Sequence, residues 1–327
     1  LTIEEYRQVV ADLVAMGVRV FDISGGEPML YPHLIELCEA IRSHDGTRIW
    51  LVSNGTMTKP AVLERLSRLV ERYVISLDSP EPTWHDEFRG LKGAFSKSLE
   101  TLRKARSLPF PEIGVNQLIC PANIHTVVPM LELCRSAHID RLALLSHRDV
   151  SENGVMLELI PSLADLQNVW ATVAKELGGS VYPRFVELVV PSFLYPESIE
   201  CRRKFSREIR NRVTMHYPHL RGLSAYRATI VVKPFGVLSG DTAMVNSDFF
   251  DVGSVRDGVR NVWEKGALDW RTRLAEREKR LRETAPCGQC PRWGVCHGGC
   301  PAAALHQWGP DWSYDRSCDR FRADGCF

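Results

Sequence analysis

The sequence predicts an α/β protein of parallel strand and helix units, followed by a small cysteine-rich unit. Three observations carry this reading. Short β-branched runs alternate with stretches of helical periodicity across residues 1–146; the runs end in small or polar residues; and six of the ten cysteines crowd into residues 287–326. Alternation with short connections implies parallel pairing, because a parallel neighbour is reached through a crossover and the crossover is right-handed. With 327 residues, 44% of them hydrophobic and 25% charged, the chain is long enough for a large core and two domains.

Residues 3–16 place apolar side chains at helical spacing, with Thr2 as N-cap and Gly17 as the stop. VRVFDIS (18–24) reads as a strand running into Gly25-Gly26-Glu27-Pro28. The pattern then recurs: helix 33–43, strand 48–53 ending in Asn54-Gly55, helix 60–71, strand 72–78, helix 94–107, strand 112–119, helix 125–137 and strand 140–146. In such a sheet the C-terminal strand ends, here SGGEP, SNG and SLDS, are the edge where ligands bind. Beyond it, 161–178 reads as one amphipathic helix and 182–191 as a strand of the sheet or its edge. The Arg-rich stretch 200–221 reads as a link to a second domain, where 228–241 form a hairpin turning at Pro234-Phe235-Gly236 and 256–283 form one or two helices.

The net charge of +1 gives no reason to expect a nucleic-acid or membrane partner. The basic run 271–282 interleaves Glu with Arg and Lys and reads as a solvated helix face. No apolar run approaches the ~20 residues that span a bilayer and no signal peptide opens the chain, so a cytoplasmic location is expected. Ten cysteines in a chain of this length do not make a disulfide framework, and Cys38, Cys120 and Cys134 sit in apolar contexts as core thiols.

Cys287, Cys290, Cys296 and Cys300 have the spacing C-x2-C-x5-C-x3-C, and Cys318 follows. So much thiolate among Gly and Pro asks for a soft metal, and on spacing alone both zinc and iron–sulfur ligation stand. Ser-Gly-Gly-Glu-Pro is by itself most often only a turn. Its chemistry nonetheless suits a ligand ammonium: two glycines open the backbone to close approach, and Glu27 adds a carboxylate.

GGEP after a strand, then SNG, then SLDSPEPTWHDEFRGLKGAF, then FDVGSVRDGVRNVWE and the cysteine spacing, in this order, resemble the radical SAM enzymes with a C-terminal SPASM (twitch-type) domain. The resemblance covers nearly the whole chain. It implies a partial (β/α)6 TIM-like barrel over 1–200, a linker at 201–222 and an auxiliary cluster domain over 223–327. It implies S-adenosylmethionine and at least one auxiliary 4Fe-4S cluster as cofactors, and an electron donor such as a flavodoxin or ferredoxin as partner. Gly25, Gly26 and Glu27 would hold the methionine ammonium, with Ser53 and Asn54 lining the same pocket. Ser76 would approach the ribose or methionine, and Arg89 would pair with the methionine carboxylate; a salt bridge or cap is the plainer role for Arg89 and Asp78. Cys287, Cys290, Cys296 and Cys318 would bind the auxiliary cluster, and Cys300 normally helps bind a second.

Two departures matter. The family's C-x3-C-x2-C motif is absent, and the chain opens at Leu1 in the lead-in of a helix. A piece of a longer protein, with the radical SAM 4Fe-4S cluster held by a missing segment and the chain as given inactive, is the leading expectation; a degenerate homologue is the other. The upstream partners of Cys300 are also missing: Asp241 stands where the pattern has a cysteine, so the second cluster is either absent or completed by Asp241, Cys201 or Cys326. Asp241 has a third role open to it, as the catalytic acceptor of a substrate proton. The aromatics Trp293, Trp308, Trp312 and Tyr314 are expected to shield a cluster, while His297 and His306 have no assigned partner.

The resemblance implies hydrogen abstraction from substrate by a 5'-deoxyadenosyl radical. The first expectation is modification of a ribosomally made peptide; the second, oxidation or rearrangement of a small molecule such as a sugar or aminocyclitol; the third, a non-catalytic relative that keeps the fold and metal.

Overall fold

A computed structural model describes residues 1–146, 159–191, 194–217, 229–242 and 247–323. Helix α1 (Ile3–Ala15) is closed by a reciprocal cap in which Thr2 Oγ accepts from Glu5 N–H and the Glu5 carboxylate accepts from Thr2 N–H. There follow β1 (Val20–Ile23), α2 (Leu34–Arg42), β2 (Arg48–Ser53), α3 (Pro60–Leu66), β3 (Arg72–Ser76), α4 (Pro82–Arg89) and α5 (Ala94–Arg106). Next come β4 (Glu112–Ile119), α6 (Val127–Ser136), β5 (Arg141–Ser146), α7 (Leu163–Glu176), β6 (Phe185–Val189), α8 (Tyr195–Arg203), α9 (Arg207–Arg212) and β7 (Val213–His216). The seven strands pair in sequence order, all parallel, and curl into a half-barrel with helices outside.

Two elements differ from the sequence reading. α4 was not anticipated, though Pro82 opens it and Gly90, left-handed at φ 64°, ends it. The stretch read as a linker from 201 to 222 instead carries the end of α8, then α9 and β7, so the sheet reaches His216. Its arginines misled the reading. Arg212 donates to the carbonyls of Leu177, Ser180 and Pro183, so the charges bind the chain to the end of α7 and the loop after it.

Strand alternation divides the barrel. One set of side chains, among them Ile49, Leu51, Tyr73, Ile75, Ile113, Val115, Leu142 and Leu144, is fully buried against the helices. Each such aliphatic contributes about 1.5–3 kcal/mol by leaving water. The other set carries a ladder of charge. Arg72 pairs with Glu112 at 2.5 Å, Glu112 with Arg141 at 2.7 Å, Arg141 with Glu187 at 3.5 Å, and Glu187 with His216 at 3.3 Å, linking β3 through β7. The Arg72 guanidinium also lies 4.0 Å over the Trp50 ring.

The second unit has an antiparallel sheet of β8 (Val231–Val232), β9 (Val237–Ser239) and β10 (Gly253–Ser254). Then come one long helix α10 (Val259–Glu283) and the short helices α11 (Trp293–Cys296), α12 (Pro301–Trp308) and α13 (Ser317–Ala323). Its core gathers Leu238, Phe250, Trp263, Trp270 and Trp312, with the Phe250 and Trp270 rings 5.2 Å apart. α1 serves both cores: Val10 packs into the barrel's, Val9 and Leu13 into the second. Arg256 reinforces the seam with a 2.6 Å pair to Glu5, and Arg260 donates to the Ala15 carbonyl. Among the described residues no helix is long and apolar enough to cross a membrane.

Candidate functional site

The strand-end site is built around Glu27. Gly25 and Gly26 take positive φ, 84° and 50°, and the space beside both Cα atoms is open for 4 Å. A ligand can therefore meet their backbone. The Glu27 carboxylate accepts from Ser53 Oγ at 2.8 Å, from Asn54 N–H at 2.8 Å and from Met29 N–H at 3.1 Å. It caps the turn Pro28–Leu30 and ties the loop after β1 to the end of β2. Its charge is thus engaged by its own chain, and the open glycine backbone is the part presented outward.

Ser53 is buried, and its Oγ also accepts from Gly55 N–H. Asn54 Oδ1 accepts from the Thr56 N–H and hydroxyl, while the carbonyls of Asn54 and Gly55 accept from Ser98 and Thr101 of α5. Gly55 has no substitute here: at φ 75° a Cβ would stand 3.0 Å from Ile75 Cδ1 and 3.1 Å from Ser98 Cα. Ser76 ends β3 on the same edge, half-buried.

Arg89, at the end of α4, places Nε 2.6 Å from Asp78 Oδ2. Asp78 is 1% exposed and every polar group on it is used: Oδ1 accepts from Leu118 N–H, the carbonyl from Gln117 and Asn123, and its N–H donates to His85 Nδ1. His85 therefore carries its proton on Nε2 when neutral. Burial pushes its pKa below the ordinary histidine value, against the pull of Asp78. This knot holds Arg89 at the ligand edge. Sequence reasoning missed His85, Gln117 and Asn123; the signal was a glutamine on the face of β4 that otherwise carries Ile113, Val115 and Ile119.

Cys287, Cys290, Cys296 and Cys318 line one cavity, with Arg292, Trp293, Gly298, Tyr314, Asp315 and Arg322. Cys300 is not among its lining residues. It is 3% exposed, belongs to the second core, and caps α12 through Sγ, which accepts from Ala303 N–H at 3.5 Å. The C-x3-C spacing is explained by the turn it must make: His297, Gly298 and Gly299 take φ 50°, 84° and 73° in succession. A Cβ on Gly298 would meet Leu281 Cδ1 at 2.4 Å, and one on Gly299 would meet Asp315 Cβ at 2.5 Å. Asp315 fixes this turn, accepting from the N–H of Cys300 and Ser317 and donating its own N–H to the Gly298 carbonyl.

Burial raises the Cys287 thiol to about 11 and Cys296 to about 12, with Cys290 and Asp315 respectively adding to the rise; Cys318 is raised further by the same causes. Such thiols stay protonated at neutral pH until a metal displaces the proton. Among the described residues no three His, Cys, Asp or Glu side chains converge on a single-ion site. The four thiols instead line one shared cavity, and an all-cysteine donor set suits an iron–sulfur cluster.

Of the remaining candidates, Asp241 is buried just beyond β9, and Cys201 lies on α8, partly buried against the barrel core. Neither lines the four-cysteine cavity. Cys326 lies outside the described residues. Trp293 lines the cavity and stacks on His297 at 5.4 Å, Trp312 packs in the second core, and Trp308 is exposed beside Tyr314. Arg292 pairs with Glu197 of α8, joining the cavity wall to the barrel. Cys38 and Cys134 are core thiols, raised to about 12 by burial, and Cys120 is buried as well.

A half-barrel with an open glycine edge, joined to a unit with four cysteines around one cavity, fits a radical SAM protein with a SPASM-type extension, an enzyme class that uses S-adenosylmethionine and 4Fe-4S clusters. The family model of the radical SAM superfamily matches residues 1–134 of the chain. It is 26% identical to the PqqA peptide cyclase of Rhodopseudomonas palustris over 97% of this chain and 78% of that protein. It is 29% identical to the AdoMet-dependent heme synthase of Methanosarcina barkeri over 41% of this chain, an alignment that spans only 38% of the synthase. In fold it is similar to Streptococcus suis SuiB in a crystal structure bound to the precursor peptide SuiA, with a TM-score of 0.69, 16% identity, and coverage of 97% of this chain and 69% of SuiB.

Proposed function

We propose that this protein modifies a ribosomally synthesised peptide by radical chemistry at an unactivated carbon, with one auxiliary 4Fe-4S cluster on Cys287, Cys290, Cys296 and Cys318. The observation that carries the reading is the cavity lined by those four cysteines and not by Cys300. The peptide cyclase likeness extends across barrel and cysteine unit alike and supports a peptide substrate.

When bound, S-adenosylmethionine and its cluster supply a 5'-deoxyadenosyl radical that takes a hydrogen atom from substrate. The chain's own residues do the positioning. The open backbone at Gly25 and Gly26 receives the methionine end, held in register with β2 by Glu27, Ser53 and Asn54. Arg89, braced on Asp78, presents the rest of its guanidinium to the methionine carboxylate. The ladder from Arg72 to His216 places paired charges on the inward face of β3 to β7. Trp293 and Tyr314 shield the cluster from water.

The test is mass spectrometry of any short peptide encoded beside the gene after incubation with S-adenosylmethionine, dithionite and a holoenzyme that carries its radical SAM cluster. A loss of hydrogen from the peptide, dependent on Cys318, is the expected result. The alignment with a heme synthase favours a second reading, a tetrapyrrole substrate; an unchanged peptide with a decarboxylated or oxidised porphyrin would establish that one instead.

A further inference from the structure

Arg277, on α10, is the most deeply buried charged side chain among the described residues of the second unit, 2% exposed. Among the described residues its hydrogen bonds go to neutral acceptors: Nε donates to the carbonyls of Trp312 at 2.9 Å and Ser313 at 3.0 Å, and Nη2 to those of Gly298 at 2.9 Å and Ser313 at 2.6 Å. The guanidinium also lies over the Trp312 ring at 5.4 Å. Among the described residues no carboxylate comes within ion-pair distance of it. The nearest acid in influence, Asp315, makes its side-chain hydrogen bonds to the backbone N–H of Cys300 and Ser317. A buried cation left with dipoles alone costs several kcal/mol, so a compensating negative charge is required nearby. The Gly298 carbonyl it holds belongs to a residue lining the four-cysteine cavity, the second residue after Cys296.

We propose that Arg277 is the internal counter-cation of the auxiliary cluster. Four thiolates on a cubane leave a net anionic group, and reduction by one electron makes it more so. A fixed guanidinium bonded to the cavity-lining loop at Gly298 stabilises the reduced form over the oxidised form and raises the reduction potential. Arg277 is a positioning and electrostatic residue here, since it binds the loop through carbonyls and touches no ligand sulfur. The inference rests on the assignment of a 4Fe-4S cluster to Cys287, Cys290, Cys296 and Cys318.

The test is anaerobic reconstitution of this chain with iron and sulfide, followed by redox titration monitored by electron paramagnetic resonance. Two variants separate charge from scaffold: Arg277→Gln keeps donors for the carbonyls and loses the charge, and Arg277→Lys keeps the charge with a poorer fit. The expected result is at least a tenfold fall in the equilibrium constant for reduction in Arg277→Gln, about 59 mV more negative for a one-electron couple, with Arg277→Lys close to wild type. Loading of the lysine variant but not the glutamine variant would also support the charge. Equal potentials in all three proteins, an equal fall in both variants, or failure of both to load would overturn the proposal. If the wild-type chain takes up no iron and sulfide, the four-cysteine assignment itself fails, and the inference with it.

Discussion

Replacing Glu27 by alanine removes the common acceptor of Ser53 Oγ, Asn54 N–H and Met29 N–H at 2.8, 2.8 and 3.1 Å. A hydrogen bond to a charged group contributes about 1.5–3 kcal/mol net. The three share one carboxylate and so do not add, and Glu27 is only half-buried, so water replaces part of what is lost. We expect Glu27→Ala to destabilise the protein by about 2–4 kcal/mol. Glu27→Gln keeps one acceptor oxygen but turns an NH2 toward a donor, and should cost about half as much. Urea unfolding followed by far-ultraviolet circular dichroism reads this as a shift in midpoint at constant slope. S-adenosylmethionine binding should weaken in the same order, because the glycine backbone is held in place by this carboxylate. An alanine variant within ~0.5 kcal/mol of wild type, the scatter of ordinary surface substitutions, would refute the claim that Glu27 fastens the two strand ends together.

Two further outcomes are expected. Cys300→Ser should retain the iron content of wild type, since serine caps α12 as well as cysteine does, whereas Cys318→Ser should lose it; equal losses would make Cys300 a ligand. His85 is held neutral by burial, so as pH falls below about 6.5 the unfolded chain takes up a proton that the folded chain refuses. Stability then declines with falling pH by up to about 1.4 kcal/mol per unit from this residue. The decline should vanish in His85→Asn, and identical pH profiles for variant and wild type would show that His85 titrates alike in both states.

Apart from α4, strand and helix order through Ser146 was legible because the β/α alternation is written in periods of two and 3.6 residues, and the strand boundaries at Arg48–Ser53 and Glu112–Ile119 match the reading to the residue. The cysteines that share a cavity were legible from the spacing once the family resemblance had divided them. What escaped was settled by long-range contact. Nothing local in Arg212 says that its charge will be spent on carbonyls near the end of α7, so a strand was read as a linker. Likewise GGEP suggested a carboxylate facing a ligand, and nothing local in it shows that Glu27 also accepts from its own chain at Met29, Ser53 and Asn54. The Asp78 knot and buried Arg277 were hidden for the same reason: polarity in a sequence does not disclose burial.

The two-faced packing of α1 bears on the order in which this chain can fold. Each β/α unit of the half-barrel meets its neighbour soon after it in sequence, so the sheet can grow strand by strand as the chain is made. The second core cannot. Val9 and Leu13 wait for Trp263, Trp270 and Trp312, and Glu5 waits for Arg256, 251 residues later. Until α10 arrives, an apolar face of the first helix stays in water, and closing so large a loop is a late and entropically costly event. The barrel is therefore expected to form first with one exposed stripe, the surface most prone to aggregation when the cysteine unit is slow to close over it.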